Sequence, residues 1–394
     1  MSDPRDEILG LHSGNTPEQL LDGIVEVVTR AGIPLWRAST ALHVLHPEIL
    51  GTHITWLRGG AASSIRREHG MLATTLWQGS PIEQVVAKGK AEVRCRLDVE
   101  RDMIPYRELV ELASKGATDY CAFGLDTSHA VDADMEENYW RRHWISFTSD
   151  AKGGFTDAQL ELLRSLRFAF ETRIALEAMR FSTNALLQAY LGANAAKRIL
   201  TGGWRRGTGD TLRAVVWFCD MRGFTTFSDT RPPREVVATL DAYFDAVASP
   251  VDNHGGEVLK FIGDAALGVF PVGASGAEPA CAAAIAAARE ACANLAALNA
   301  TRAAKAEPPL GLGIAMHVGD VMYGNIGAQN RLDFTVIGAP VNEVCRVEPL
   351  TRTLGVDVLL TSAFVREARL ATAPSLGKHA LKGVSEPLEV FGLP

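Results

Sequence analysis

The apolar and polar positions divide the chain into two parts with different patterns. In the first part, apolar residues at helical spacing predict a helix from Pro17 to Arg30. Residues 33–58 and 144–148 are rich in strand-forming side chains and predict β-strands. A glycine-containing turn at residues 153–157 then opens another helix. These elements predict a small α/β domain over residues 1–156.

A long helix is predicted to connect the two parts. It runs from Asp157 to about Leu200, and four apolar residues at steps of three and four form a stripe along it: Leu163, Leu166, Phe170 and Ile174. A glycine-rich break follows at residues 202–207, so residues 157–209 are interpreted as a connecting helix with a hinge. The helix either belongs to the core of the first domain or acts as a dimerising, signal-carrying connector. Its length favours the connector.

Short strands and helices alternate from Leu212 onward. Strands are predicted at 213–219, 257–262, 265–270, 310–318, 321–326, 334–337 and 356–360, and helices at 232–253, 278–304 and 341–353. Tight turns are expected at Gly263-Asp264 and at Gly319-Asp320. The order predicts an α+β fold, a ferredoxin-like βαββαβ sheet with helices on one face, over residues 210–394.

Composition limits the classes of function. The 394 residues carry a formal net charge of −7, which argues against general nucleic-acid binding. The six cysteines are scattered without metal-ligand spacing, which is typical of reduced thiols in a cytoplasmic protein. The polar N-terminus has no signal-peptide pattern, and no uninterrupted apolar run reaches membrane-spanning length. We therefore expect a cytoplasmic protein without a membrane span or a nucleic-acid partner.

Two aspartates are the strongest chemical signal. Asp220 follows a buried strand, and Asp264 lies at the tip of a predicted hairpin. A sheet can bring such residues together, and paired carboxylates suit Mg²⁺ or Mn²⁺. A lone aspartate would more often be a solvated turn or a helix cap. After Asp220, the segment Met221–Thr225 contains Gly223, which allows backbone amides to approach phosphate oxygens.

Four ordered blocks resemble the catalytic domain of class III nucleotidyl cyclases. They are FCDMRGFT at 218–225, EVLKFIGDAALGVF at 257–270, HVGDVMYGNIG at 317–327 and RLDFTVIGAPVNEVCRVE at 331–348. The resemblance covers residues 210–394, nearly half of the chain. It implies formation of a cyclic 3′,5′-nucleotide from a nucleoside triphosphate, with two Mg²⁺ or Mn²⁺ ions per site. It also implies a head-to-tail homodimer with its sites at the interface.

The resemblance assigns roles to individual residues. Asp220 and Asp264 match the metal-binding aspartates, and the Gly223, Phe224 and Thr225 segment lies against the substrate phosphates. Lys260 and Thr335 match the pair that recognises the purine. A lysine ammonium donates to adenine N1 and a threonine hydroxyl accepts from the 6-amino group, whereas guanine reverses both roles. ATP is therefore the expected substrate.

Three more residues match groups that act on the substrate. Asn342 and Arg346 correspond to the transition-state pair that the partner subunit contributes, and their spacing places them on one face of a helix. Lys382 matches a lysine that reaches the triphosphate tail. On residue chemistry alone, Arg346 would be an ordinary ion-pairing arginine and Lys382 an ordinary surface lysine.

The first domain resembles a GAF-type sensor through its strand-rich middle and the segment from Gly154 to Leu163. Such a domain would hold an unknown small-molecule or protein regulator. Three histidines lie close together in the sequence and could bind a metal or haem: His43, His46 and His53. Structural or surface roles are more common for histidine. Five tryptophans either line a ligand pocket or build the core: Trp36, Trp56, Trp77, Trp140 and Trp144.

The sequence therefore predicts a homodimeric adenylate cyclase with a regulatory N-terminal domain. Two alternatives stay open. One is a guanylate or dual-specificity cyclase, and the other is a vestigial cyclase domain that serves a ligand-binding regulator.

Overall fold

The computed structural model describes residues 2–12, 16–47, 49–74, 77–126, 142–203, 205, 207–383 and 386–393. It separates into two compact units, Met1–Ala189 and Tyr190–Pro394.

The first unit is built on a six-stranded sheet. Its elements in chain order are α1 Pro4–Leu9, α2 Pro17–Arg30, β1 Arg37–His43, β2 Ile49–Leu57, β3 Ser63–Glu68, a 3₁₀ turn His69–Ala73, α3 Pro81–Val86, β4 Glu92–Arg96, a 3₁₀ turn Arg101–Met103, α4 Arg107–Ser114, β5 Asp119–Asp126, β6 Arg142–Ser149, α5 Asp157–Ser165 and α6 Arg167–Leu191. The strand order is β3-β2-β1-β6-β5-β4, and every pair is antiparallel. The predicted helix 17–30 and the strands within 33–58 and 144–148 are confirmed. The apolar stripe of α2 packs with α5 and α6 in one core.

The connecting helix is interrupted, contrary to the prediction of one helix from Asp157 to Leu200. The Thr156 side chain caps α5 in a capping box with Gln159, and α6 follows after a single turn residue. Gly192 then adopts a φ of +84°, in the left-handed region, and ends α6. The last part is a separate helix that lies within the second unit, α7 Ala193–Leu200.

The second unit holds a mixed eight-stranded sheet. After α7, its elements are β7 Gly209–Arg222, α8 Phe224–Thr230, α9 Pro233–Asn253, β8 Glu257–Ile262, β9 Ala265–Pro271, α10 Ala277–Ala304, β10 Gly311–Ala328, β11 Arg331–Ile337, α11 Ala339–Val347, α12 Leu350–Leu354, β12 Val358–Thr361, α13 Ser362–Glu367, β13 Ser375–His379 and β14 Leu388–Gly392. The strand order is β13-β14-β12-β10-β7-β9-β8, with β11 paired to β10. The succession β7-α9-β8-β9-α10-β10 is the expected βαββαβ arrangement.

Helices cover both faces of this sheet, so the prediction of helices on one face is wrong. Strand β7 is central, and its side chains alternate between two cores. Val215, Trp217 and Cys219 pack in the core that contains α9 and α10. Ala214, Val216 and Phe218 pack on the other face, in the core that contains α11 and α7. The continuous apolar run of β7 is the consequence of burial on both sides.

The predicted turn at Gly319-Asp320 does not exist. Strand β10 pairs with β7 without interruption from Gly311 opposite Arg222 to Gly324 opposite Gly209. Gly319 serves close packing instead, because a Cβ there would lie 2.4 Å from Cγ of Pro340 at the start of α11.

One helix in the described part of the chain, α10, is long and apolar enough to cross a membrane by length and composition alone. Its alanines at positions 280, 284, 287, 288 and 291 lie in the core shared with α9 and the sheet. One face of α10 is therefore buried in the core of the second unit.

Candidate active site

Asp220 and Asp264 come together at one edge of the second sheet. Asp220 lies near the end of β7, and Asp264 lies in the two-residue turn between β8 and β9. Because β9 pairs with β7, with Ala266 opposite Cys219, the hairpin tip is held beside Asp220. The two carboxyl groups are close enough for Asp264 to raise the pKa of Asp220. Oδ1 of Asp220 also accepts a bond from the Met221 amide at 3.0 Å.

A third carboxyl group, which the sequence analysis missed, adjoins this pair. Glu348 follows α11, is 6% exposed and interacts with both aspartates. Gly313, directly opposite Asp220 on β10, makes room for it, because a Cβ there would lie 2.1 Å from Oε1 of Glu348. Oε1 of Glu348 accepts a bond from the Thr351 hydroxyl at 3.3 Å.

Burial and mutual repulsion perturb these acids. Burial and then the neighbouring Asp264 raise the pKa of Asp220 to about 6, against the lowering effect of the Met221 amide. Burial and then Asp220 raise the pKa of Glu348 to about 7. Crowded carboxyl groups resist ionisation unless a positive charge is bound between them. The cluster is therefore electrostatically suited to a cation.

The donor set fits a hard divalent ion. Carboxylate oxygens are the side-chain ligands that Mg²⁺ and Mn²⁺ prefer. Within the described residues, no group of three or more His, Cys, Asp or Glu side chains is arranged to hold a metal by itself. Asp220 and Asp264 would therefore supply part of a coordination shell, and oxygens from outside the protein would complete it.

An ion pair with Asp333 ties Lys260 to β11, the strand that carries Thr335. The Lys260 ammonium forms an ion pair with Oδ2 of Asp333 at 2.7 Å. Asp333 and Thr335 are two residues apart on β11 and so lie on the same face of the strand. The Thr335 hydroxyl is buried without a hydrogen-bond partner in the protein. The sequence analysis missed Asp333, because an aspartate in a polar segment looks like an ordinary surface charge.

The segment after Asp220 forms the start of a short helix. Gly223 adopts a φ of +77° and occupies the N-cap position of α8, where no side chain caps the helix. The Phe224 ring packs against the core, while Thr225 is exposed. Any contact of Phe224 with a ligand would therefore be made by its backbone amide.

Asn342, Arg346 and Lys382 form a separate group. Asn342 and Arg346 are exposed on one face of α11, and Nη1 of Arg346 donates to the Gly383 carbonyl at 3.2 Å. Lys382 is exposed in the same turn. Arg346 and Glu348 are two positions apart, and side chains two positions apart on a helix point in directions that differ by about 200°. Because Glu348 points towards the aspartates, Arg346 faces away from them.

The N-terminal candidates are dispersed. His43 and His53 line a cavity in the first unit, whereas Nδ1 of His46 accepts a bond from the Ile49 amide at 3.2 Å. Trp77 and Trp144 line the same cavity. Trp36 and Trp56 pack against two other apolar clusters, and Trp140 lies outside the described residues.

The second unit is similar in sequence to known proteins. Residues 210–391 match the sequence model of the adenylate and guanylate cyclase catalytic domain. An adenylate cyclase from Anabaena cylindrica is 32% identical over 193 residues, which are 47% of this chain and 37% of that relative. Adenylate cyclase 1 from Rhizobium meliloti is 33% identical over 181 residues, 45% of this chain and 27% of that relative. The chain thus spans well under half the length of these relatives.

Two solved structures are also similar. The adenylyl cyclase CyaB from P. aeruginosa matches with a TM-score of 0.44 at 24% identity, covering 48% of this chain and 96% of that one. The guanylyl cyclase Cya2 matches with a TM-score of 0.42 at 30% identity, covering 47% and 92%.

Proposed function

The C-terminal unit belongs to the adenylate and guanylate cyclase catalytic domain family, and from this premise we propose that the chain is an adenylate cyclase. It converts ATP to 3′,5′-cyclic AMP and pyrophosphate at a site shared by two copies of the chain. The placement of Asp220 and Asp264 side by side at one sheet edge, where their charges interact, is the observation that carries this proposal.

The proposed reaction is an intramolecular displacement. The 3′-oxygen of ATP attacks the α-phosphorus, the bond to the departing pyrophosphate oxygen breaks, and the hydroxyl proton passes to solvent. Asp220 and Asp264 would hold the metal ions, and the backbone amides of Gly223, Phe224 and Thr225 bind phosphate oxygens. When bound, two Mg²⁺ or Mn²⁺ ions lower the pKa of the attacking hydroxyl and neutralise charge on the triphosphate.

Adenine is selected by Lys260 and Thr335. The unpartnered, buried hydroxyl of Thr335 offers an acceptor for the 6-amino group. Asp333 holds the Lys260 ammonium on the same face of β11, where it donates to adenine N1. The Lys260 ammonium discriminates against guanine, because it has no acceptor for the guanine N1–H.

Asn342 and Arg346 act from the partner copy, and Lys382 reaches the triphosphate tail. In its own chain, Arg346 faces away from the aspartates, so it is available to a neighbouring site. A surface suitable for a second copy lies close to the purine-binding pair. Met322 and Ile337 are directly opposite in the β10–β11 ladder and are 43% and 50% exposed. In the dimer, Asn342 orients the ribose and Arg346 stabilises charge on the α-phosphate.

The N-terminal unit is proposed to be a GAF-like sensor that regulates turnover through the connecting helix. The support lies within the second unit, where α7 is bound to the strand that carries Lys260. The Glu257 carboxylate of β8 accepts bonds from the Asn194 side chain at 3.3 Å and the Ala195 amide at 3.4 Å. The Tyr323 hydroxyl donates to the same carboxylate at 2.8 Å. A rotation of α7 would therefore be transmitted to β8.

The proposed location is the cytoplasm. The scattered thiols and the core packing of α10 support this, and neither a membrane span nor a nucleic acid has a role in the proposed function.

The test is cyclic nucleotide formation by purified protein with ATP or GTP and Mg²⁺ or Mn²⁺, beside Asp220→Ala. Cyclic AMP that depends on Asp220 supports the proposal, whereas cyclic GMP formed from GTP at an equal or higher rate supports a guanylate or dual-specificity enzyme. Absence of product from both the full chain and the isolated unit 190–394 supports a vestigial domain. Product from the isolated unit alone indicates inhibition by the N-terminal unit.

A further inference from the structure

The N-terminal unit contains a cavity of about 390 Å³. It lies between one face of the sheet, formed by β1, β2, β5 and β6, and helices α3 and α4. Its volume falls in the range of about 300–1,000 Å³ that small-molecule sites occupy. The cavity is therefore large enough for a compact organic ligand.

Two arginines give the cavity its polar character. Nη2 of Arg37 lies 3.3 Å from the Ser39 hydroxyl and 3.4 Å from the Thr55 hydroxyl, so its hydrogen-bond partners are neutral. Nε of Arg67 is buried without a hydrogen-bond partner in the protein. A guanidinium nitrogen that is buried without an acceptor costs free energy, and an anionic ligand removes that cost.

Neighbouring titratable groups compensate this positive charge only in part. Burial raises the pKa of Glu108 to about 7, so at neutral pH this carboxyl is only partly ionised. Glu111 is already paired with Lys115 at 2.6 Å. Burial, Arg37 and then Arg67 lower the pKa of His53 to about 4, which keeps the imidazole neutral.

The other side of the cavity is apolar and aromatic. Trp77 and Trp144 line it and belong to one apolar cluster with Met71. The Trp144 ring meets the His53 ring edge-on at 5.3 Å between centroids. His53, whose pKa both arginines lower, therefore lies next to the aromatic side chains. A single small ligand can contact the arginines and the aromatic side chains together.

We propose that this cavity binds a small organic anion with a planar apolar body. A carboxylate on the ligand accepts charge-assisted hydrogen bonds from Arg37 and Arg67. The apolar body packs against Trp77 and Trp144. This binding site is independent of the proposed cyclase activity.

Matched probe pairs test the proposal by calorimetric titration of the full-length chain. The probes are 2-naphthylacetate and 4-phenylbutyrate, each compared with its primary amide, which has the same shape without the charge. We expect at least one carboxylate to bind about tenfold more tightly than its amide, equivalent to about 1.4 kcal/mol. No carboxylate binding below ~10 mM, or equal binding of the amides, overturns the proposal.

Substitutions of cavity residues test whether the preference for the carboxylate over the amide arises in the cavity. Arg67→Gln is expected to remove the preference for the carboxylate, whereas Arg66→Gln, the exposed neighbour on the opposite face of β3, is expected to leave it unchanged. Glu108→Gln is expected to tighten carboxylate binding severalfold, because it removes a competing negative charge. An equal loss in Arg66→Gln and Arg67→Gln, with both proteins folded by circular dichroism, contradicts the assignment.

Discussion

The crowding of acids at the candidate metal site predicts that one of them destabilises the metal-free protein. Asp220→Asn removes a charge from the group formed with Asp264 and Glu348. Asparagine keeps the size of the side chain and can still accept the Met221 amide. We therefore expect this inactivating substitution to raise stability rather than lower it.

The raised pKa of Asp220 sets the size of the expected gain in stability. The pKa of Asp220 is raised from 3.8 to about 6, and at about 1.4 kcal/mol per unit this is at most about 3 kcal/mol. Asp220 is only half-buried, so solvent screening reduces the expected gain to about 1–2 kcal/mol. For a domain of this size, each kcal/mol corresponds to about 2–4 °C in Tm.

Proton linkage determines how the stability gain of Asp220→Asn changes with pH. The folded protein holds the Asp220 proton more tightly than the unfolded chain, so ionisation destabilises the fold above pH ~6. That penalty is lost as the pH falls through this pKa towards the ordinary value near 4. The stability gain of Asp220→Asn should therefore be full at pH 7.5 and about half as large at pH 5.

The assay is differential scanning calorimetry in EDTA at both pH values. Asp241→Asn, at an exposed carboxyl of α9, is the control and should leave Tm unchanged. Adding Mn²⁺ should then raise the Tm of the wild type more than that of Asp220→Asn. An Asp220→Asn protein that melts at or below the wild-type temperature at pH 7.5 without metal would refute the reasoning.

Three further substitutions test other contacts. Thr335→Ala should lower kcat/KM for ATP about three- to tenfold, because the 6-amino group loses its acceptor; an unchanged kcat/KM would contradict a contact between Thr335 and the base. Asp333→Asn should raise KM for ATP a few-fold at nearly constant kcat, because the Lys260 ammonium loses its partner; an unchanged KM would mean that the ion pair does not position the lysine. Gly319→Ala should lower the free energy of unfolding by about 1–3 kcal/mol through overpacking. Gly273→Ala, where a Cβ meets nothing within 4 Å, is its control in urea denaturation, and equal stability of the two variants would be the contrary result.

Local patterns predicted much of the catalytic unit. The apolar run before Asp220 and the Gly-Asp turn at Asp264 each have a simple local cause, and strand pairing then brings the two carboxyl groups together. The same kind of reasoning failed at Gly319-Asp320. There the glycine accommodates Pro340, a contact between elements that no local pattern encodes.

Residues whose roles depend on tertiary contacts could not be predicted from sequence patterns. Glu348 approaches the aspartates only because Gly313 leaves space on the adjacent strand. Asp333 becomes significant only once β11 is placed beside Lys260. In the N-terminal unit, Arg67 lies on a mostly exposed strand, and its burial against a cavity depends on how helices cover the sheet.

The most direct test of the account is complementation between two inactive variants. Asp264→Ala removes a metal ligand, and Asn342→Ala removes a group that the partner copy contributes. Each protein alone should form no cyclic AMP from ATP. Mixed in equal amounts with exchanging subunits, they should recover about a quarter of wild-type activity, since half of the dimers hold one intact site of two. Continued inactivity of a mixture shown to contain heterodimers would contradict a site shared between two copies.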